Sequence, residues 1–307
     1  MNDDVVIAVI VSGVALMTPV LWAALGEAIS EQAGVLNIGI EGVMLFGALT
    51  CAWGIRESGI AAGLLLSLPV GAALGAILAY LWVSRGTDQI VSGIMFNLLA
   101  LGATTLLFEE YLSGVGVVTS LDRHGFPGLS QIPWIGEVFE QNWTVWLALA
   151  AVPLVYALLR HTWLGLAMRS AGEKPRATET AGVSVAGIRY AAVILSTTLM
   201  SFGGAALIAS TSGGFVSNVT AGQGFVALAV VVLARWNPFL CVAGALLFGL
   251  TQALQFQAQS LGVLADLPPE AWLSLPYLVA IVAVIAARSS RYPNACGVPY
   301  EPLGATR

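Results

Sequence analysis

The first candidates for chemistry in this chain are ionisable side chains set inside apolar stretches, because hydrocarbon tolerates them only where function or close pairing holds them. The clearest is Glu41, in Asn37-Ile38-Gly39-Ile40-Glu41-Gly42. Glycines here let a helix bend and turn backbone carbonyls toward a cavity, which the bilayer allows only where protein or water lines it. Two readings are open: Asn37 and Glu41 face a transport path, or Glu41 caps a helix terminus or binds neighbouring backbone. A comparable stretch follows in the second half, Asn218-Val219-Thr220-Ala221-Gly222-Gln223-Gly224-Phe225. Corresponding Gly-interrupted segments in two halves point to a midplane site in transporters built from repeats, although few positions of the two stretches align. Asn97 adds a polar side chain to another apolar run, and Gln252, Gln255 and Gln259 share one helical face. The glutamine row is expected to hydrogen-bond between helices.

Enzyme chemistry finds little to work with. The two histidines, His124 and His161, lie in different loops, and Gly-x-Ser-x-Gly, His-Glu-x-x-His, Cys-x-x-Cys and the phosphate-cradling Gly-x-x-x-x-Gly-Lys-Ser/Thr are all missing from the sequence. Cys51, Cys241 and Cys296 are far apart, odd in number and in no metal spacing, and are expected to be packing residues. No catalytic residue, metal site or resident cofactor is expected.

The elements that must position these residues follow from composition. Of 307 residues, 58% are hydrophobic and 9% charged, against about 25% charged in an ordinary soluble domain, and mean hydropathy is +0.86. So much apolar surface excludes a soluble enzyme, a disordered chain and a nucleic-acid binder, and makes membrane lipid part of the solvent. A span needs about 20 apolar residues, which places candidates near 5–25, 37–55, 60–83, 88–112, 143–160, 188–212, 222–235, 239–258 and 271–287. The chain is therefore read as one all-α polytopic membrane domain, 1–307, of about 8–10 transmembrane helices in two weakly repeated halves. Broken or re-entrant segments are expected near 37–47 and 218–238, where 222–235 is too short to be a secure span. Gly59-x-x-x-Gly63 and Gly71-x-x-x-Gly75 read as helix-packing steps.

Orientation follows from Lys/Arg asymmetry. Placing 160–189 inside puts ten of the 12 basic residues in the cytoplasm and leaves Arg56 and Arg123 outside. The N-terminus is then outside and the C-terminus inside. Asn2-Asp3-Asp4 is not the positive leader of a signal peptide, so the first apolar stretch is expected to be retained. An outer loop 113–142, a basic inner loop 161–187 and a tail 288–307 remain. No Lys, Arg or His lies deep in a span, so nothing neutralises a phosphate in transit. Neutral hydrogen-bonding solutes, with a ring held on Phe, suit such a path better than polyanions.

The run Thr18-Pro19, Leu25-Gly26-Glu27 and Ala33-Gly34-Val35-Leu36-Asn37-Ile38-Gly39-Ile40-Glu41-Gly42-Val43-Met44-Leu45 resembles the permease subunits of ABC importers in the branched-chain amino acid and simple-sugar superfamily. Within it, the sequence is most similar to nucleoside (purine) permeases that operate with basic-membrane-lipoprotein-type binding proteins. Asp88-Gln89-Ile90-Val91-Ser92-Gly93-Ile94, Arg169-Ser170-Ala171-Gly172-Glu173-Lys174-Pro175-Arg176-Ala177 with Ala181-Gly182-Val183, and Thr220 to Ala229 fit the same subgroup. Lys174 and Thr87 depart slightly from the pattern, and the tail after Arg288 has no counterpart. The resemblance implies a permease of the bacterial cytoplasmic membrane without its own ATPase, moving a neutral nucleoside or purine-like solute inward. It also implies three partners: a cytoplasmic ATPase that uses ATP and Mg, a second related permease forming a heterodimer, and an extracytoplasmic substrate-binding protein. Arg169, Gly172, Glu173, Pro175, Ala181 and Gly182 would form the ATPase coupling segment. Asn37, Glu41, Asn97, Asn218 and Thr220 would hydrogen-bond cargo along the path, with Phe46, Phe96 and Phe225 stacking on it. The alternatives are an ABC permease for a simple sugar or branched-chain amino acid, and an ion-coupled secondary transporter.

Overall fold

A computed structural model describes residues 3–112, 121–122, 124–125, 136–212, 214–261, 269–286 and 292–300. Eleven α-helices follow one another among them: α1 (Asp3–Gln32), α2 (Ile40–Ser58), α3 (Ile60–Ala79), α4 (Gln89–Tyr111), α5 (Trp143–His161), α6 (Trp163–Glu173), α7 (Pro175–Thr180), α8 (Val185–Leu207), α9 (Gln223–Leu233), α10 (Pro238–Ser260) and α11 (Pro269–Ala286). Helices α3 and α8 each run on into a π-helical turn, Tyr80–Ser84 and Ile208–Ser212. The described residues hold one short antiparallel pair, β1 (His124–Gly125) with β2 (Glu140–Gln141), next to a 3-10 turn at Gly136–Phe139. The rest of the expected outer loop lies outside the described residues.

Six segments are long and apolar enough to cross a bilayer: Val5–Gln32, Ile60–Ser84, Gln89–Tyr111, Trp143–His161, Val185–Ser210 and Pro238–Ser260. The protein is an all-α multi-pass membrane protein. Large apolar side chains point outward from it, among them Leu65, Met95, Leu98, Leu106 and Leu154, each more than half exposed on the single chain. Lipid or another membrane subunit must cover them. Helix α9 has 11 residues, about 16 Å of rise, and reaches only about half way through the ~30 Å hydrocarbon layer.

Two expectations need correction. The first span does not end near 25: α1 continues to Gln32, because Glu27, Ser30, Glu31 and Gln32 are buried against protein rather than released to water. The break near 37–47 lies entirely before Ile40, and α2 passes through Gly42 and Gly47 without interruption. The helix-compatible inner loop 161–187 holds α6 and α7.

Those two glycines serve packing instead. Helix α8 is central, held against α1, α2 and α3, while α1 also packs along α10. At the α2–α8 crossing the fit is reciprocal. A Cβ on Gly47 would lie 2.0 Å from the Ser201 carbonyl oxygen, and one on Gly204 would lie 1.9 Å from that of Met44. Gly71 and Gly75 likewise seat α3 on α8, where added Cβ atoms would come within 2.6 Å of Ser201 and 2.1 Å of Thr197. Without a hydrophobic drive between helices in lipid, such backbone approach supplies the van der Waals contact that joins them. Gly59 is different: nothing surrounds it, and its φ of 92° turns the chain between α2 and α3.

Basic side chains gather at one end of the bundle, with Arg85 after α3, Arg160 closing α5, Arg169, Lys174 and Arg176 on or beside α6 and α7, Arg189 at the start of α8 and Arg235 after α9. Arg56 stands at the opposite end and donates to the Tyr111 carbonyl. Replacing Gly204 by Leu is expected to abolish accumulation of folded protein in the membrane, since overpacking by even a few methylenes costs about 1–3 kcal/mol and here the obstacle is backbone. Gly102→Leu, at a position with open space around it, should leave the yield near the parent level. Detergent-solubilised yield by size-exclusion chromatography checks both.

Candidate functional site

The candidate site grows from the non-helical segment between α1 and α2. Residues 33–39 turn back along α1, with the Ser30 hydroxyl and the Val35 amide crossing between the two strands of chain at 2.8 and 3.1 Å. Backbone donors at this depth have no water to bond, so each needs a side chain. Gln89 Oε1 of α4 accepts from the Leu36 amide at 2.8 Å, and Glu27 Oε1 of α1 accepts from the Asn37 amide at 2.9 Å. Asn97 of α4 then clasps the start of α2, its Nδ2 donating to the Ile38 carbonyl and its Oδ1 accepting from the Gly42 amide, both at 2.8 Å.

Glu41 completes the arrangement. Only 6% exposed, it sits in the first turn of α2 and reaches across to the start of α9. Its Oε1 accepts from the Thr220 hydroxyl and from the Gly222 amide at 2.8 Å, and its Oε2 accepts from the Gly224 amide at 2.7 Å. Gly222, the residue before α9, adopts φ 83° and has no side chain to cap that helix. Glu41 therefore caps α9 from outside. Two helix N-termini converge on one carboxylate, and both macrodipoles favour its negative charge. Of the two readings open from sequence, the capping one describes the geometry.

The structure brings together Glu41 and Thr220 directly, with Asn97 one residue away at Gly42. Phe46 and Phe96 lie beside them, ring centroids 6.3 Å apart and half-buried. Asn37 is buried one layer deeper, with its Nδ2 3.4 Å from Met200 Sδ. Asn218 and Phe225 turn to the surface of the single chain, Asn218 with φ 58°. The two stretches singled out as a weak repeat are thus in contact through Glu41.

Sequence reasoning passed over a second carboxylate pair. Glu27 and Glu31, one turn apart on α1, are both fully buried. Trp236 Nε1 donates to Glu31, and Gln32 Nε2 donates to the Trp236 carbonyl at 2.9 Å, which ties α1 to the turn between α9 and α10. Arg235 and Trp236 hold φ values of 51° and 57° in that turn. Their signal was the i, i+4 spacing at the end of an apolar helix, hidden by a ruler that stopped near 25.

At the basic end, Gly172 of α6 meets the chain after α1 so closely that a Cβ there would lie 2.2 Å from the Gln32 carbonyl oxygen. Arg169, with Arg160 and Arg235, surrounds a hollow of about 270 Å³ that Glu173 also lines. Pro175 opens α7, while Ala181 and Gly182 (φ 83°) are exposed at its end. Residues 292–300 of the expected tail lie across these helices. The Ala295 amide donates to the Gly172 carbonyl at 2.8 Å, Asn294 to Glu173 at 2.7 Å, and the buried Arg189 to the Val298 carbonyl at 3.1 Å. Tyr300 donates to Glu179. Burial, then that carboxylate, pushes the Tyr300 phenol up to about 12, and burial with the Glu31 carboxylate does the same for Tyr292. The stabilisation from a raised phenol is complete below about pH 10, the unfolded value, and is lost as pH climbs toward about 12.

The profile of the branched-chain amino acid transport system permease component family matches residues 9–284. The chain belongs to that family. Three relatives cover nearly all of this permease. It is 37% identical to a putative glucose ABC transporter permease of Haloferax volcanii, over 89% of this chain and 91% of that one. It is 35% identical to a guanosine ABC transporter permease of Bacillus subtilis, over 92% of both. It is 32% identical to a nucleoside ABC transporter permease of Lactococcus lactis, over 92% of this chain and 93% of that one. A second, more distant permease named for the same solute matches from each of these organisms, at 26, 23 and 24% identity. No solved structure matches at a significant level.

Removing the Glu41 side chain in this permease, as Glu41→Ala, leaves three donors unpaired in the interior. At about 1–3 kcal/mol for each orphaned group, the thermal transition in detergent is expected to fall by 10 °C or more, on the order expected for a loss of several kcal/mol in a chain of this size. Glu41→Gln, which keeps one acceptor oxygen, should lie between the two.

Proposed function

We propose that this permease is the membrane subunit of an ATP-driven importer for a neutral nucleoside or purine-like solute. The observation that carries the reading is its 35% and 32% identity, over more than nine-tenths of both chains, to permeases named for guanosine and for nucleosides. The interior supports it independently. Among the described residues the basic side chains gather at the ends of the bundle, and the middle holds carboxylates already bonded to backbone and Trp donors, with amides and aromatic rings. An anionic cargo would meet no compensating charge there.

The basic end is the cytoplasmic one by the positive-inside rule, which sets the N-terminus outside and the C-terminus inside. On this reading α6 and α7 face a separate ATPase that holds ATP and Mg, with Arg169, Glu173, Pro175, Ala181 and Gly182 presented to it and Gly172 joining them to the bundle. Gly172 touches the residues that lead into α2, so movement of α6 reaches the broken segment directly. The named relatives come as one nearer and one more distant permease in each organism, which supports a second, non-identical permease as partner. A binding protein delivers solute at the outer face. Phe46, Phe96, Asn218 and Phe225 are assigned to the solute path, and Asn37, Glu41, Asn97 and Thr220 to holding the backbone that frames it.

Cells lacking the gene should lose uptake of labelled guanosine while keeping that of ribose, leucine and free adenine. Loss of ribose or leucine uptake instead would overturn the solute assignment while leaving the permease intact. Ala181→Asp, at an exposed position, should reduce copurification of the ATPase at least tenfold with membrane abundance unchanged, and normal copurification would refute the docking assignment.

A further inference from the structure

Behind the α9 N-terminus lies a cavity of about 560 Å³, within the roughly 300–1,000 Å³ typical of small-molecule sites. Apolar side chains make most of its wall, including Val20 of α1, Val226 of α9, and Phe248 and Phe256 of α10. Three carboxamides break that wall: Gln223 from the first turn of α9, and Gln252 and Gln255 from α10. Gln255 is only 3% exposed, and neither it nor Gln252 makes a side-chain hydrogen bond among the described residues. The Gln223 Oε1 atom is buried and has no partner in the chain. Among the described residues the glutamine row makes no hydrogen bond between helices; Gln259 is exposed, and its two fellows line the cavity.

Buried amides left without partners cost free energy that a packed apolar core avoids. A carboxamide offers a donor and an acceptor side by side, and glutamine pairs through both with the edge of a purine base. Aromatic rings supply the complementary stacking face, which is tolerant of base identity. Such a pocket suits a neutral, planar heterocycle with alternating donors and acceptors.

From this cavity we infer that the permease holds the base of its solute inside its own helical bundle, recognised by Gln255, Gln252 and Gln223. The inference rests on the nucleoside reading above and deepens it. The pocket shares its α9 wall with the Glu41 cap: Ala221 and Gln223 line the cavity, while Thr220, Gly222 and Gly224 of the same turn bond Glu41. The Tyr277 hydroxyl of α11 donates to the Ala221 carbonyl at 2.6 Å and fixes the opposite rim.

The test uses the assembled transporter, with its ATPase, second permease and binding protein, in proteoliposomes. Val226→Cys places a thiol on the apolar wall, and Gly102→Cys places one at an exposed site on α4 for comparison; the native Cys51 and Cys241 are fully buried, and the half-buried Cys296 is replaced by Ser in both backgrounds. Saturating guanosine should slow alkylation at position 226 at least fivefold, leave position 102 unchanged, and not be mimicked by ribose. Gln255→Leu, close in volume, should lower guanosine transport about tenfold, the effect of about 1.4 kcal/mol, with normal membrane abundance. Unprotected Cys at 226, or full transport by Gln255→Leu, in a preparation whose parent complex imports guanosine would sink the cavity assignment and leave the function standing. A parent complex that imports no nucleoside would remove both.

Discussion

The arrangement depends on one constraint: backbone amides buried inside the bundle have no water to bond, yet two segments of this chain leave the helical conformation there. Residues 33–39 and the turn before α9 both present such donors. Side chains from other helices meet them, with Gln89 and Asn97 coming from α4, Glu27 from α1 and Glu41 from α2. Each of these polar residues would be a liability in hydrocarbon alone. Paired as they are, they let the chain hold two helix N-termini inside the bundle and confine the irregular backbone to one geometry.

Helix α9 is where this constraint meets function. Its first turn has Glu41 on one side and the glutamine-lined cavity on the other. Its far end leads into the Arg235–Trp236 turn, which bonds Glu31 and Gln32 of α1, and the Gln32 carbonyl abuts Gly172 of α6. The glutamine-lined cavity, the broken segment and helices α6 and α7 are therefore connected by one short helix and a few direct contacts. Alternating access by rocking around a fixed site needs such a connection.

Small residues make the rest of the bundle rigid enough to carry that movement. The reciprocal Gly47–Gly204 crossing brings α2 onto α8 with backbone in contact, and Gly71 and Gly75 do the same for α3. These helices form a block with α1, which in turn packs along α10. The C-terminal segment 292–300, bonded to Gly172, Glu173 and Arg189, adds a brace at the basic end of that block.

Composition and apolar run length by themselves determined the all-α, multi-pass architecture, because the demand for about 20 apolar residues per span acts locally. Charge asymmetry gave a charged end, and the Asn-Gly stretches at 37–42 and 218–224 marked where helices break, since closely spaced glycines lower helix propensity. What the sequence left open was decided by packing. Gly42 and Gly47 looked like part of a break and proved to be contacts, because a helix tolerates glycine when a neighbouring helix fills the space, α4 side chains at Gly42 and α8 backbone at Gly47. Glu27 and Glu31 looked like the end of a span, because their burial depends on α9 and α10, which lie some 200 residues later in the chain. The glutamine face of α10 showed its period but not its partner. Whether a polar row meets another helix or an open cavity is a property of the space between elements, and only the tertiary structure fixes that space.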